Sequence, residues 1–394
     1  MSQLLGGRTL SQLQPIRADE LRLLVELLLE KAKAEETVNL SEEFMKFSNN
    51  VISRMTLSIR YSGKDDQARV ARDLAREVTE IFGAFNLSDY IWFLKNIDVQ
   101  GLLKRSKVTR SEFDDLLEKI LKERQEIRMK KKTSHDQDSI DDGVKDFIDI
   151  LLDIQEDESQ EIKLTRNNIK AIALVSAWIC SWRARIPQHR HQSGHWQSST
   201  TIPPYSTKRA KKSTQIVGKT RLIQESDVPN LPYLQAIMKE TLRLHPPIPF
   251  LARESTEDRN ISGYDIPAKT AVFINVWSIN RDPKYWPDPL EFKPERFLVN
   301  EVVSDTSDGV VNKSVLDVRG QHFNLLPFGT GRRGCPGIWL ALQEVPAVVG
   351  AMIQCFDWNM KGKAELDMSE RPGLTVPRAV PLMLVPVTRL NPFG

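Results

Sequence analysis

A glycine-rich loop with one cysteine stands immediately before an apolar helical pattern: Phe328-Gly329-Thr330-Gly331-Arg332-Arg333-Gly334-Cys335-Pro336-Gly337. A helix N-terminus and nearby arginines favour a thiolate over a thiol, and the thiolate is the form of cysteine that binds iron. Glycines let the backbone pass close to a flat macrocycle. The loop therefore predicts a metal-binding cysteine at Cys335, against the plainer alternative of a buried structural cysteine beside a turn.

The loop resembles the haem-binding loop of cytochromes P-450, Phe-x-x-Gly-x-Arg-x-Cys-x-Gly, at every fixed position. The resemblance implies that Cys335 is the axial ligand of haem b (heme b, iron protoporphyrin IX). It also implies that Arg333 pairs with a haem propionate, that Phe328 shields the sulfur, and that Gly329 and Gly337 belong to the cofactor-binding loop. Thiolate ligation in this family favours cleavage of the oxygen–oxygen bond.

Two charged segments precede the loop in the order that cytochromes P-450 show. In Glu240-Thr241-Leu242-Arg243 the acid and the base lie three apart on one helical face and can pair, although exposed pairs of this kind are common. Phe292-Lys293-Pro294-Glu295-Arg296-Phe297 follows it. The resemblance assigns Glu240, Arg243 and Arg296 to a buried, structural charge triad.

The segment from His245 to Arg253 resembles the one that cytochromes P-450 run along the substrate pocket. It implies that Arg253 points at a second propionate. Ile248, Phe250 and Leu251 become candidate pocket residues, with ordinary core positions as the alternative.

Periodicity predicts a mainly helical chain. Leu21, Leu24, Val25 and Leu28 follow helical spacing, as do apolar residues after Phe113 and after Phe147. Short strands are predicted at 264–266 and 271–276, an exposed loop from Met129, and a last helix from about Gly337 to Phe356. The predicted class is mainly α with small β-sheets, an incomplete cytochrome P-450 fold in which residues 1–394 form a single partial domain.

Bulk composition excludes several classes of function. The chain has 394 residues, 40% of them hydrophobic, which is enough for a large core. Its 55 basic and 52 acidic residues are too nearly balanced to indicate a nucleic-acid partner. Three scattered cysteines do not make a disulfide framework.

The N-terminus carries no signal peptide and no apolar run long enough to span a membrane. Plant cytochromes P-450 begin with a membrane anchor, so the resemblance implies an N-terminally truncated chain. Intact members are expected in the endoplasmic reticulum membrane, and this chain, without the anchor, in the cytoplasm.

The segment from about Ala177 to Thr214 differs from its surroundings, because it is rich in Trp, His and Pro and has no helical or strand period. Here the family carries its oxygen-activating motif, Ala/Gly-Gly-x-Asp/Glu-Thr, whose acid and hydroxyl relay protons. The motif is missing, so no catalytic residue is assigned. The alternative of a zinc site at His189, His191 and His195 is disfavoured by their irregular spacing.

A frame slip accounts for the atypical segment. Codons permitted by Trp182-Arg183-Ala184-Arg185-Ile186-Pro187, read with the last base of each codon and the first two of the next, allow Ala-Gly-Thr-Asp-Thr. The same offset turns residues 192–203 into a peptide that resembles the family's continuation of this helix. We therefore expect a slip that begins between Ala171 and Ala177 and ends near Thr214.

Three stretches resemble the plant group that contains flavone synthase II, isoflavone synthase and pterocarpan hydroxylase: Leu5 to Leu10, Asn86 to Trp92, and Gly320 to Phe323. The resemblance implies a monooxygenase that acts on a small apolar or phenolic, flavonoid-like substrate. Molecular oxygen and electrons from NADPH through NADPH-cytochrome P-450 reductase would be used. Two alternatives stay open: a haem-binding protein without oxygenase activity, and a non-functional truncated product.

Overall fold

The computed structural model describes residues 5–63, 66–84, 86–94, 97–133, 145–157, 159, 163–173, 217–218, 220–298, 316–360, 369 and 379–394. The atypical segment of 177–214 lies outside them. Over the described residues the chain is mainly helical with small antiparallel sheets, so the predicted fold class is confirmed.

Ten helices are labelled here in chain order. Their bounds are α1 Gly7–Gln12, α2 Gln14–Lys33, α3 Leu40–Leu57, α4 Asp66–Gly83, α5 Leu87–Tyr90, α6 Leu102–Thr133, α7 Phe147–Glu156, α8 Pro232–Leu244, α9 Val276–Ile279 and α10 Ile338–Cys355. Residues 166–173 are also helical, and short 3-10 turns lie at Trp92–Leu94, Glu225–Asn230, Pro294–Phe297 and Gly331–Arg333.

The helices bury the stripes that the sequence pattern indicates. Leu21, Leu24 and Leu28 of α2 are buried. The loop predicted from Met129 is wrong at its start, because α6 continues to Thr133. Lysine and arginine are good helix formers, and their charge suits a helix C-terminus.

In the described part of the chain, seven strands form three small antiparallel sheets. The strands are β1 Val38–Asn39, β2 Phe250–Glu254, β3 Arg259–Ile261, β4 Tyr264–Ile266, β5 Ala271–Asn275, β6 Phe356–Asn359 and β7 Met383–Thr388. The sheet orders are β1-β7-β6, β2-β5 and β3-β4. In the β2-β5 pair Leu251 faces Ile274 across the ladder and Arg253 faces Val272.

The chain divides into two compact units. The first comprises Met1–Glu26 and Ser41–Pro187, and the second Leu27–Leu40 and Gln188–Gly394. Within the first unit, buried Glu20 accepts hydrogen bonds from Asn50, Arg54 and Arg60 at 2.7–3.1 Å. The second unit contains every sequence-predicted site residue.

A hydrophobic cluster in the second unit lies directly behind the cysteine loop. Its buried members are Ala236, Met238, Leu242, Trp286, Phe297, Val318, Leu325, Phe328 and Ala341. Cys335 and Ile338 pack against it from the loop and from α10. Among the described residues α10 alone is long and apolar enough to cross a membrane, and its burial is that of a core helix.

Candidate functional site

The cysteine loop closes on itself by backbone hydrogen bonds. The Cys335 N–H donates to the carbonyl of Phe328 at 2.9 Å, and the Gly334 N–H donates to the carbonyl of Gly331 at 3.0 Å. Gly329 and Gly331 have φ of 68° and 69°, a left-handed conformation that glycine adopts without a steric penalty. The loop thereby presents Cys335 three residues before the first residue of α10.

Two thiols are described, and they have different environments. Cys335 is half-buried, whereas Cys355 at the end of α10 is fully buried. Burial raises the pKa of the Cys355 thiol to about 12, which keeps it protonated. Of these two, only Cys335 can offer sulfur to a ligand.

Strand β2 brings two of the predicted residues to the loop. A methyl group added to Gly329 would lie 3.6 Å from Cδ1 of Leu251 and 3.7 Å from Nη2 of Arg253. Phe250 lies on the opposite face of β2, because successive side chains alternate, and is 51% exposed. Ile248, just before the strand, is half-buried.

The cationic groups at the loop fit an anionic macrocycle. Arg253 donates from Nη1 to the carbonyl of Ala252 at 2.8 Å, and within the described ranges it contacts no carboxylate. Arg333 is exposed in the 3-10 turn, likewise without a carboxylate partner in the described part of the chain. Gly337 is buried at the start of α10. A half-buried thiol in a loop that also carries Arg333 and faces Arg253 through Gly329, with no acidic partner for either guanidinium among the described residues, matches what iron and haem carboxylates require.

The charged residues of α8 and of the Pro294–Phe297 turn meet inside the second unit. Glu240 and Arg243 are both 0% exposed and form a two-point pair, with Nε to Oε2 at 2.7 Å and Nη2 to Oε1 at 2.8 Å. Nε of Arg296 lies 3.3 Å from Oε1 of the same glutamate. The carboxylate thus holds two guanidinium groups.

Backbone groups complete this cluster. Arg243 donates to the carbonyls of Asn280 and Pro289, each at 2.8 Å, and its guanidinium lies 5.1 Å from the Trp286 ring centroid. The Lys293 N–H donates to Oε1 of Glu240 at 2.8 Å. Sequence reasoning missed these partners, because a carbonyl or amide that binds a side chain has no residue-type signature.

Comparison with known proteins decides the family. A profile for "Cytochrome P450" (cytochrome P-450) matches residues 1–177 and 203–384. The chain belongs to the cytochrome P-450 family. Its members are haem-containing oxidoreductases that receive electrons from a redox partner and bind small substrates, and the predicted family and enzyme class are confirmed.

Plant relatives match along nearly the whole chain. Cytochrome P-450 93B2 of Gerbera hybrida is 50% identical over 99% of this chain and 72% of that protein. The 3,9-dihydroxypterocarpan 6A-monooxygenase of Glycine max is 44% identical over 100% of this chain and 74% of that protein. The 2-hydroxyisoflavanone synthase of Glycyrrhiza echinata is 39% identical over 99% of this chain and 72% of that protein.

The fold is that of solved cytochromes P-450. A zebra fish cytochrome P-450 with progesterone matches with a TM-score of 0.70 at 24% identity, over 98% of this chain and 79% of that chain. A separate groove of about 840 Å³ between α4 and α6 is lined by none of the predicted site residues.

Proposed function

We propose that this cytochrome P-450 provides a haem-thiolate monooxygenase scaffold for a flavonoid-like or related phenolic plant metabolite. The closed loop that presents Cys335, with Arg253 facing the same loop at Gly329, carries the proposal. The substrate class is supported by the names of the relatives that act on a dihydroxypterocarpan and form a hydroxyisoflavanone.

Six residues of the loop and of β2 have proposed roles. Cys335 binds the iron through Sγ, and Arg253 and Arg333 pair with the haem carboxylates. Phe328, which is 8% exposed, covers the sulfur on the core side, while Gly329 and Gly337 leave room for the ring. When bound, the haem supplies binding and activation of molecular oxygen.

The substrate pocket is proposed to include Ile248, Phe250 and Leu251. Leu251 faces the loop, because a methyl group added to Gly329 would lie 3.6 Å from its Cδ1, whereas Phe250 lies on the other face of β2. We expect Leu251 to affect both haem and substrate, and Phe250 to act on the substrate side only.

NADPH-cytochrome P-450 reductase is the proposed electron donor, and the endoplasmic reticulum membrane is the proposed location. A group of exposed apolar side chains in the first unit supports binding of the chain to a membrane surface. It comprises Leu87, Phe93, Ile97, Val99 and Leu103. Flotation of the chain with phospholipid vesicles tests this location.

Oxygenase turnover is proposed to be impaired in this chain. The family profile is interrupted between residues 177 and 203, where the acid–hydroxyl motif is expected. This interruption favours the second candidate function, haem binding without oxygenase activity. A non-functional product is the third.

Two measurements separate the three candidates. A reduced carbon-monoxide difference spectrum with a thiolate band supports haem-thiolate binding, and its absence leaves the non-functional product. Turnover of flavonoid substrates with reductase and NADPH then separates an active oxygenase from a haem-binding scaffold.

A further inference from the structure

Gly320 lies against the cysteine loop with no space for a side chain. Its φ is 81°, and a methyl group added to it would lie 2.6 Å from the Gly329 carbonyl oxygen and 3.1 Å from Cβ of Thr330. The Thr330 hydroxyl donates to the Gly320 carbonyl at 2.8 Å. The two backbone segments are therefore in direct contact and joined by a hydrogen bond.

The segment that ends at Gly320, residues 316–320, is itself held at three points; we call it the support segment. Lys239 of α8 donates from Nζ to the carbonyl of Leu316 at 3.0 Å. Val318 is 0% exposed in the core cluster. The Arg319 guanidinium lies 5.4 Å from the ring centroid of Trp339 in the first turn of α10. The support segment thus connects the loop to α8 through Lys239 and to α10 through Trp339.

Gly329 lies between the support segment and β2. Its carbonyl faces Gly320, and a methyl group on its Cα would face Leu251 and Arg253. Its neighbour Phe328 accepts the hydrogen bond from the Cys335 N–H. A shift of Gly329 would therefore move Cys335 relative to Arg253.

We propose that Gly320 and Thr330 are positioning residues for Cys335. They set the separation between the cysteine loop and β2, and with it the place of the thiol relative to Arg253. The proposal rests on the proposed function only where haem ligation is concerned, because the contact itself involves protein atoms alone.

The test uses the full-length chain without added haem. The rate at which iodoacetamide alkylates Cys335, assigned by peptide mass spectrometry, reports how firmly the loop is held. Thr330→Val removes one hydrogen bond, so we expect alkylation about fivefold faster, which corresponds to one bond of ordinary net strength. Gly320→Ala should give a larger increase, because the loop must move.

Two control variants separate the loss of this contact from the general effect of the same kind of substitution elsewhere in the chain. Gly263→Ala introduces the same left-handed alanine, at φ 88°, where nothing lies within 4 Å of the added methyl. Thr109→Val removes a buried hydroxyl that donates to the Arg105 carbonyl in α6 at 2.9 Å. Both should leave the Cys335 rate within error of the unsubstituted chain.

A second readout concerns the haem-loaded chain. At equal haem content, both test variants should shift carbon-monoxide absorption from the thiolate band towards the thiol band, and the controls should not. If the unsubstituted chain shows no thiolate band, the proposed function fails, but the alkylation rates still decide the positioning role.

Rates equal to the unsubstituted chain in Gly320→Ala and Thr330→Val overturn the proposal, and a rise in Gly320→Ala alone overturns the part assigned to Thr330. Should Gly320→Ala unfold in thermal denaturation, Thr330→Val decides by itself.

Discussion

At the residue scale, the two described thiols allow a direct comparison. Cys335→Ala should abolish the thiolate band of the reduced carbon-monoxide spectrum, because no other side chain at that loop can supply sulfur. Cys355→Ala is the matched control, since that sulfur is fully buried at the end of α10. An unchanged band in Cys335→Ala, at normal haem content, would contradict the assignment of the iron ligand.

Glu240 neutralises two guanidinium groups inside the second unit. Glu240→Gln leaves Arg243, which is 0% exposed, and Arg296 without their carboxylate. Loss of one partner of a buried pair costs about 3–5 kcal/mol of unfolding free energy. Urea unfolding measures this loss, together with haem content.

The control for Glu240 is Glu257→Gln, whose glutamate pairs with Arg259 while 61% of its side chain is exposed. That change should lower the free energy of unfolding by about 0–1 kcal/mol. Equal stabilities of the two variants would show that Glu240 has no structural role.

At the scale of elements, Asp146 joins three helices of the first unit. It caps α7 by accepting from the Asp149 N–H at 2.8 Å. It also accepts from Ser58, just after α3, at 2.6 Å, and from Arg124 of α6 at 3.0 Å. Burial, followed by the nearby Asp149 carboxylate, raises the pKa of Asp146 to about 6, against the lowering effect of these donors.

This raised pKa predicts a sign for the pH dependence of stability. The folded state holds the Asp146 proton more tightly than the unfolded state, whose pKa is near 3.8. The contribution to stability is therefore present below about pH 4 and is lost as pH rises through about 6, with an upper limit of roughly 3 kcal/mol.

The free energy of unfolding of Asp146→Asn, measured by chemical denaturation across pH 4–6, should lack this pH-dependent contribution. The control Asp153→Asn changes an acid of α7 that is 43% exposed and should retain it. An identical pH slope in Asp146→Asn and the unsubstituted chain would contradict the titration of Asp146 in this window.

At the scale of the whole molecule, the frame slip predicts the nucleotide sequence. The transcript around residues 182–187 should spell Ala-Gly-Thr-Asp-Thr when read in the shifted frame, and the family profile already breaks between residues 177 and 203. Any other spelling in that frame would falsify the slip. A chain with the restored frame should turn over substrate faster than this chain in the same reductase assay, because it regains the acid and hydroxyl of the proton relay.

Much of the architecture could be predicted from local pattern. Apolar spacing indicated α2, α6, α7 and α10. The strand β2 was not predicted, because it is only five residues long and directly follows Pro249. The Phe328–Gly337 loop carried the resemblance to the family, and the order of the Glu240 and Arg296 segments before it added support.

What the sequence by itself determined is therefore the helical periods, the glycine-rich loop and the identity of the cysteine that the loop presents, since each depends on residues close together in the chain. Only the tertiary structure decided which backbone carbonyls bind Arg243, that Leu251 and Arg253 face Gly329 whereas Phe250 does not, and that Gly320 supports the loop. The physical reason is that these contacts join backbone atoms or glycines brought together from distant segments. Such atoms carry no residue-type signal until folding brings them within contact distance.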